Sequence, residues 1–416
     1  MDLPKVVKIK QHFTGQKVKN IEDAVAAEFS KAEIEKKIKP NMNIAITVGS
    51  RGIANIARVI RATVSEVKKR DAHPFIVPAM GSHGGAKAEG QIEVLESLGI
   101  TEEYCGAPIR ATMEVVNLGK TETDANVYMD KIAYESDGVI LVNRIKLHTD
   151  FSSNIESGLM KIASVGLGNH KQALAIHARG VIGLKQDMPA VARALFASGK
   201  ILLGIGLVEN AFEETAIVEA IPVEKIPERE KELLEEAKNL FPSLPVDELD
   251  TLHIDEIGKN YSGSGMDTNV IGRLLIDGEK EPEKPDYRYI IASDLSEESH
   301  GNSTGIGLAD LTTERLYKKI DLHKMNENVL TSTFLRRAYI PMVRKSDKDA
   351  ILTSVRCMYG VNTENFRFMR IRNTLHLEEM YVSEALIPVI QMLGNIEILS
   401  EPMEMEFDED GYFTDF

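Results

Sequence analysis

Short apolar runs alternate with amphipathic segments through most of the chain. Asn43-Ile44-Ala45-Ile46-Thr47-Val48 reads as a strand, and Ile53 to Lys69 follows with Ile53, Ile56, Ala57, Ile60, Val64 and Val67 at helical spacing. Pro74 to Met80 reads as the next strand, Ala86 to Leu98 as a helix that Gly99 ends, and Asp137 to Val142 and Ile201 to Val208 as further strands. This alternation predicts an α/β fold with mostly parallel sheets covered by helices. Glu224 to Leu240 predicts a charged helix with a stripe of Ile226, Leu233, Leu234 and Ala237, and Pro242 and Pro245 come after it. The boundary is placed there. An N-terminal α/β domain spans 1–248 and a C-terminal α/β domain spans 249–416, with the site expected in the cleft between them. The second pattern begins at Leu252 to Ile257. It continues through Tyr287 to Ala292 (strand), Asn326 to Tyr339 (helix), Ala350 to Val355 (strand) and Ser383 to Leu393 (helix). The acidic, aromatic last segment, Phe407 to Phe416, is one that can pack back on the first domain.

Bulk composition narrows the class. A chain of 416 residues, 43% hydrophobic and 27% charged, is ordinary globular protein of two-domain size. The net charge of −15 argues against a nucleic-acid binder, which needs a basic face, but leaves room for a locally basic pocket that takes an anion. No apolar run approaches the ~20 residues that span a bilayer, and Met1-Asp2-Leu3-Pro4-Lys5 lacks a signal core. A cytoplasmic protein with no membrane partner is expected. Cys105 and Cys357 cannot form a CxxC site or a four-thiolate cluster and read as structural thiols.

In an open parallel sheet, ligands bind beyond the carboxyl ends of the strands. Gly49-Ser50-Arg51-Gly52 follows the first strand, Gly81-Ser82-His83-Gly84-Gly85 the second, and Asn143-Arg144-Ile145-Lys146-Leu147-His148-Thr149-Asp150 the third. The first loop reads either as a capped turn or as an anion receptor built from backbone N–H groups and Arg51. Glycines around His83 let the backbone approach a ligand, and two histidines at neighbouring strand ends suit acid–base work. Lys161 lies among small and apolar neighbours. There it is either a snorkelling helix lysine or a desolvated nucleophile. His170 opens a helix whose next same-face histidine is His177. One histidine is too few for a zinc site, but it can complete the shell of a metal carried inside a cofactor. In the second domain, Gly258 to Arg273 and His300 to Gly307 are rich in glycine and small hydroxyls at strand ends, a composition that suits anion nests. Neither is a P-loop or a dinucleotide GxGxxG.

Taken in order, these residues resemble the nickel-pincer-nucleotide lactate racemase family over roughly residues 40 to 215, and more loosely beyond. The family pattern is an arginine after one strand and Gly-[Ser/Thr]-His after the next. A histidine ahead of a Phe-Ser-Gly-like stretch, a cofactor lysine and a metal-ligating histidine come next. Arg51, His83, His148 before Phe151-Ser152-Ser153, Lys161 and His170 match it here. The resemblance implies a racemase or epimerase of a small anionic 2-hydroxy acid. Its cofactor would be nickel pyridinium-3,5-bisthiocarboxylic acid mononucleotide, joined to Lys161 by a thioamide and supplied by cofactor-biosynthesis enzymes. His83 and His148 would be acid and base on opposite faces of the substrate, Arg51 the carboxylate clamp and His170 the nickel ligand. Hydride would leave the substrate for the pincer carbon and return to the other face. Gly49, Ser50, Gly263 and Gly265 are candidate cofactor contacts. Lys259 and Arg273 are candidates for a second anionic group of the substrate or for the cofactor phosphate.

The chain departs from the lactate enzymes in three places. Val48-Gly49-Ser50 replaces the acidic residue before the arginine. The His148–Lys161 spacing is longer and the Lys161–His170 spacing shorter, so Lys171 is a rival anchor and His177 a rival ligand. The second-domain block looks like that of an uncharacterised subgroup, which leaves the substrate open, as is a homo-oligomeric state. Two other classes stand beside this reading, an NAD-type 2-hydroxy acid dehydrogenase and a non-catalytic anion-binding two-domain protein. The first lacks its glycine fingerprint, and the second gives no reason for the ordered histidines and lysine.

Overall fold

Four runs, Asn43–Val48, His73–Pro78, Gly138–Arg144 and Ile201–Glu209, are buried along most of their length. A strand with both faces buried needs cover on both sides, and the period of two divides its side chains between the two covers. Ile44, Ile46 and Val48 pack with Val59, Ile60 and Val67 of the helix Ile56–Lys68, while Ala45 faces the cluster of Leu159, Met160, Leu233 and Leu234. The structure is a computed structural model that describes residues 3–360, 362–414 and 416. Met1 and Asp2, part of the stretch read for a signal core, lie outside the described residues.

The chain divides into two compact units, 14–241 and 1–13 together with 242–416. The sheet of the first unit has the order His73–Pro78, Asn43–Val48, Gly138–Arg144, Ile201–Glu209, Thr215–Pro222. All neighbours are parallel except the last pair. The chain leaves Asn43–Val48 towards one edge and returns on its other side at Gly138–Arg144. That reversal is the switch point where an open α/β sheet opens a crevice at its strand ends.

The second unit holds an eight-stranded sheet. Met342–Arg344, Leu311–Thr313, Asp286–Leu295, Glu248–Ile257 and Phe368–Ile371 run parallel, and Glu379–Ser383, Val6–Gln11 and Ile396–Ile398 continue the sheet antiparallel. Both units are therefore α/β with mostly parallel pairing. The division at residue 248/249 differs from the structure at both ends. Residues 1–13 go with the second unit because the alternating Val6-Val7-Lys8-Ile9-Lys10 run pairs with Glu379–Ser383. The linker falls at Phe241/Pro242, ahead of the buried Leu244 and Val246. The last segment belongs to that same unit, where Met403 bridges to Val6 and Phe407 to Phe413.

Ala350 to Val355, expected as a strand, lies in the helix Asp347–Cys357. Ser346 caps it by accepting from the Asp349 N–H, and Asp347 and Asp349 suit its first turn. A six-residue apolar stretch is too short for its period to tell helix from strand. Asn326 to Tyr339 is the end of the helix Leu322–Ser332 followed by a single 3₁₀ turn, Leu335–Ala338. Ser383 to Leu393 is a strand end and two short turns, with Pro388 at the start of the second.

Among the described residues no helix is long and apolar enough to cross a membrane. Cys105 is buried, and burial pushes its thiol up to about 11, which makes it unreactive at neutral pH. Cys357 is free and exposed.

Candidate active site

The candidate site is built on the switch point of the first unit. Val48 pairs with Pro78 and Ile46 with Ile140, so the three loops that follow start from adjacent strand ends. Ser50 and His83, from the first two loops, are hydrogen-bonded between Oγ and Nδ1. The His83 loop is held from below. Gln91 donates to the Gly81 carbonyl at 3.0 Å, and the Gly81 N–H donates to the Gly166 carbonyl at 3.3 Å. Gly84 adopts φ 64°, and a Cβ there would lie 2.5 Å from backbone atoms of Gly90 and Gln91. Only glycine meets both demands. Gly84→Ala is therefore expected to cost about 1–3 kcal/mol of stability, read by urea unfolding. An unchanged midpoint would show that the loop is not pinned in this way.

The third loop folds His148 back against Lys161. The Lys161 Nζ and His148 Nε2 lie 2.7 Å apart, and the Asp150 N–H donates to His148 Nδ1 at 3.1 Å. Phe151 packs against the imidazole with ring centres 4.6 Å apart. The buried carboxylate of Glu156 accepts from the backbone N–H of His148 at 2.6 Å and of Ser153 at 3.0 Å. Lys161 ends the short helix Leu159–Lys161 and leads into a π-helical turn, Ile162–Gly166. Such turns are rare and recur at functional sites. Glu230, on the helix Ile226–Leu240, accepts from the Met160 N–H at 2.9 Å and so caps the turn that carries Lys161. Its burial raises the carboxyl to about 7.

Residues 3–187 match the family model described as the lactate racemase N-terminal domain. Over these residues the chain is lactate racemase-like. The chain is also similar to the lactate racemase apoprotein from Thermoanaerobacterium thermosaccharolyticum. The TM-score is 0.52 at 11% identity, over 82% of this chain and 87% of that one, a likeness of fold. No curated protein matches the chain.

Within the lactate racemase-like segment, the groups that feel one another's charge are Arg51, His83, Lys146, His148, Asp150, Lys161 and His177. Burial takes His148 down to about 3, helped by the positive charge of Lys161 and opposed by Asp150. Burial likewise takes Lys161 down to about 8, again opposed by Asp150. His83 and His177 keep exposed faces, yet the protein crowding each ring disfavours its charged form. The charges of Arg51 and Lys161 lower His83 further, and that of Lys161 lowers His177. Both proton-carrying candidates are thus held as neutral imidazoles at neutral pH, and the lysine has an appreciable share of free amine. Arg51 is exposed and makes no hydrogen bond or ion pair among the described residues. Gly49 lies beside Asn143 and Ile162, which places the first loop against the Lys161 turn.

His170 opens the helix Asn169–His177. Its Nδ1 is buried without a hydrogen-bond partner among the described residues. Lys171 is exposed, with its ammonium over the Tyr128 ring at 4.7 Å. The charge of Lys161 reaches His177, while the Lys171 ammonium lies on the Tyr128 ring. The helix Asn169–His177 places its two end histidines nearly two turns apart. Sequence reasoning assigned no role to Glu156, Glu230, Asp150 or Lys146. A lone carboxylate eight residues after His148 in a small-residue stretch is the one local hint for Glu156. Glu230 sits on a charged helix with nothing to mark it.

In the second unit, the loops after the parallel neighbours Glu248–Ile257 and Asp286–Leu295 pack on each other. A Cβ on Gly265 would lie 2.5 Å from the Thr304 carbonyl oxygen, whereas Gly263 has open space. Lys259 donates from Nζ to the Gly263 carbonyl and, at 2.7 Å, to Asn328 Oδ1. Arg273 is committed inside the unit. Its Nη1 reaches Asp310 at 2.7 Å and the Leu308 carbonyl at 3.1 Å, and its Nη2 reaches the Tyr287 and Arg288 carbonyls at 2.7 and 3.0 Å. Those bonds engage all four terminal N–H donors, so Arg273 reads as a brace rather than a substrate ligand.

Proposed function

We propose that the chain is a racemase or epimerase of a small 2-hydroxy acid that works with a nickel-pincer nucleotide attached to Lys161. The observation that carries this reading is the juxtaposition of Lys161, as a partly neutral amine, with two neutral histidines from neighbouring strand ends. A lactate racemase-like domain makes racemase-type chemistry the coarse expectation, and the side chains fit the finer one. An amine held near pKa 8 suits acylation by a thiocarboxyl group. A single imidazole suits a metal that brings its other donors with it. Among the described residues no three His, Cys, Asp or Glu side chains converge on a metal position, so protein ligands alone would not hold one.

In this reading Arg51 grips the substrate carboxylate, using a guanidinium with no hydrogen bond or ion pair among the described residues. His83 and His148 exchange the hydroxyl proton, one as acceptor and the other as donor, with the roles reversed in the opposite direction. Ser50 orients His83, and Glu156 and Phe151 fix the His148 loop. When bound, the nucleotide supplies the hydride acceptor that these side chains lack. Lys259 and the backbone around Gly263 and Gly265 are kept as the second unit's candidates for an anionic group. A cytoplasmic setting, with cofactor-building enzymes as partners, goes with the same reading.

His177 is proposed as the nickel ligand in place of His170, because His177 lies within reach of the charge of Lys161. The test is nickel content of protein made together with the cofactor-building enzymes. His177→Ala is expected to lose most of its nickel while His170→Ala keeps it. The reverse pattern would restore His170. Nickel-free wild-type protein under those conditions would remove the proposed cofactor.

A further inference from the structure

Glu230 is a carboxylic acid in a place that suits a hydrocarbon. It lies on the inner face of the helix Ile226–Leu240, whose other buried residues are Ile226, Leu233, Leu234 and Ala237. Only 1% of it is exposed, and among the described residues no cation pairs with it. Burying a carboxyl without a counter-charge is costly, and an apolar side chain of like size avoids that cost. Its contacts show what the carboxyl does there. The Oε2 accepts from the Met160 N–H at 2.9 Å. The Oε1 stands 2.5 Å from the point a Cβ on Gly158 would occupy, so the carboxyl fits only against a glycine. The Gly158 carbonyl accepts from Asn143 Nδ2 at 2.8 Å and from the Ile162 N–H at 3.1 Å. Asn143 belongs to the strand Gly138–Arg144. The turn that starts at Gly158 and presents Lys161 is thus gripped by Asn143 from the strand and by Glu230 from the helix.

We infer that Glu230 is a positioning residue for cofactor attachment: through the Met160 N–H it holds the turn that keeps the Lys161 amine in its buried place. The inference rests on the attachment role proposed for Lys161. The amine is a weak base first because it is buried, so whatever fixes the turn also fixes the share of free amine at neutral pH. Glu230 does not act on the amine by charge, since the charges that do are those of Asp150, Arg51 and Lys146. This sets the sign of the effect. Loosening the turn lets water reach the amine and moves its titration up, whereas removing a nearby negative charge would move it down.

Competitive labelling of cofactor-free protein with acetic anhydride, read lysine by lysine in a mass spectrometer across a range of pH, tests this without nickel or turnover. In wild-type protein Lys161 should titrate at about 8. Glu230→Leu fills the same space and takes away the acceptor. Lys161 should then titrate toward the ordinary lysine range, and its labelling near neutral pH should fall about tenfold or more. Gly158→Ala, which drives a methyl group into the carboxyl, should act in the same direction. Glu230→Gln keeps an oxygen for the Met160 N–H and should restore the wild-type profile. A Lys161 profile that stays put or moves down in Glu230→Leu overturns the assignment, as does a Gln variant no better than the Leu one. Wild-type protein supplies a check that needs no variant to fold. The Met160 amide, followed by nitrogen-15 NMR, should shift with a midpoint of about 7 as Glu230 ionises, and an amide that does not shift between pH 5 and 9 also counts against it. Because every one of these readings omits the cofactor, they can fail while nickel loading succeeds, and the converse holds as well.

Discussion

Lys161→Ala protein, made with the cofactor-building enzymes, is expected to show the bare polypeptide mass, while wild-type protein carries the nucleotide adduct. Racemase activity should fall to background with it. Burial brings the Lys161 amine down to about 8 against the opposing pull of Asp150, so near neutral pH it has a share of free amine that surface lysines lack. Only the free amine attacks a carbonyl carbon. The attachment rate in wild-type protein should therefore climb as pH rises through about 8 and then level. Lys171 offers the contrast, since it is exposed and rests on Tyr128. Lys171→Ala should keep the adduct. An adduct that survives in Lys161→Ala and disappears in Lys171→Ala would exchange the two assignments.

His83→Ala and His148→Ala should each lower kcat by about 100- to 10,000-fold, the usual contribution of a positioned acid–base group. The adduct and the nickel should remain. The two residues sit on separate loops with separate supports. His83 is held by Ser50 and the Gly81 and Gly84 turns, and His148 by Glu156 and Phe151. If they share one proton transfer, the double variant should be little worse than either single one, since residues acting as a unit are not additive. Normal turnover in either single variant would remove the two-histidine scheme.

Much of the first unit could be read in the chain, because strands buried on both faces leave dense apolar runs and their helices keep a clean period. Asking what comes after each strand singled out Arg51, His83 and His148, and small, apolar neighbours singled out Lys161. Features set by distant pairing were not legible. Val6–Gln11 is a short alternating run whose partner lies more than 360 residues away, so nothing nearby reveals which unit it joins. The helix Asp347–Cys357 was misread because its apolar residues fall in one short block, while its start is marked only by Ser346 and two aspartates. In the site, His170 and His177 share a face of one helix, so spacing does not choose between them, and the proposal of His177 rests on the reach of the Lys161 charge. Arg273 read as a candidate anion ligand in a glycine-rich block, yet three backbone carbonyls and Asp310 occupy it, and such carbonyl partners are invisible before the chain folds.

The most direct measurement is isotopic. Protein loaded with its nucleotide is incubated in deuterated water with one enantiomer of each member of a panel of 2-hydroxy acids, including sugar acids and dicarboxylates. The products are then resolved on a chiral column and weighed. For at least one acid, the mirror-image product should appear with its original hydrogen still on the carbon, as transfer of hydride away from one face and back to the other requires. Solvent deuterium on that carbon would show simple proton exchange and contradict the account, as would a panel in which no enantiomer is converted.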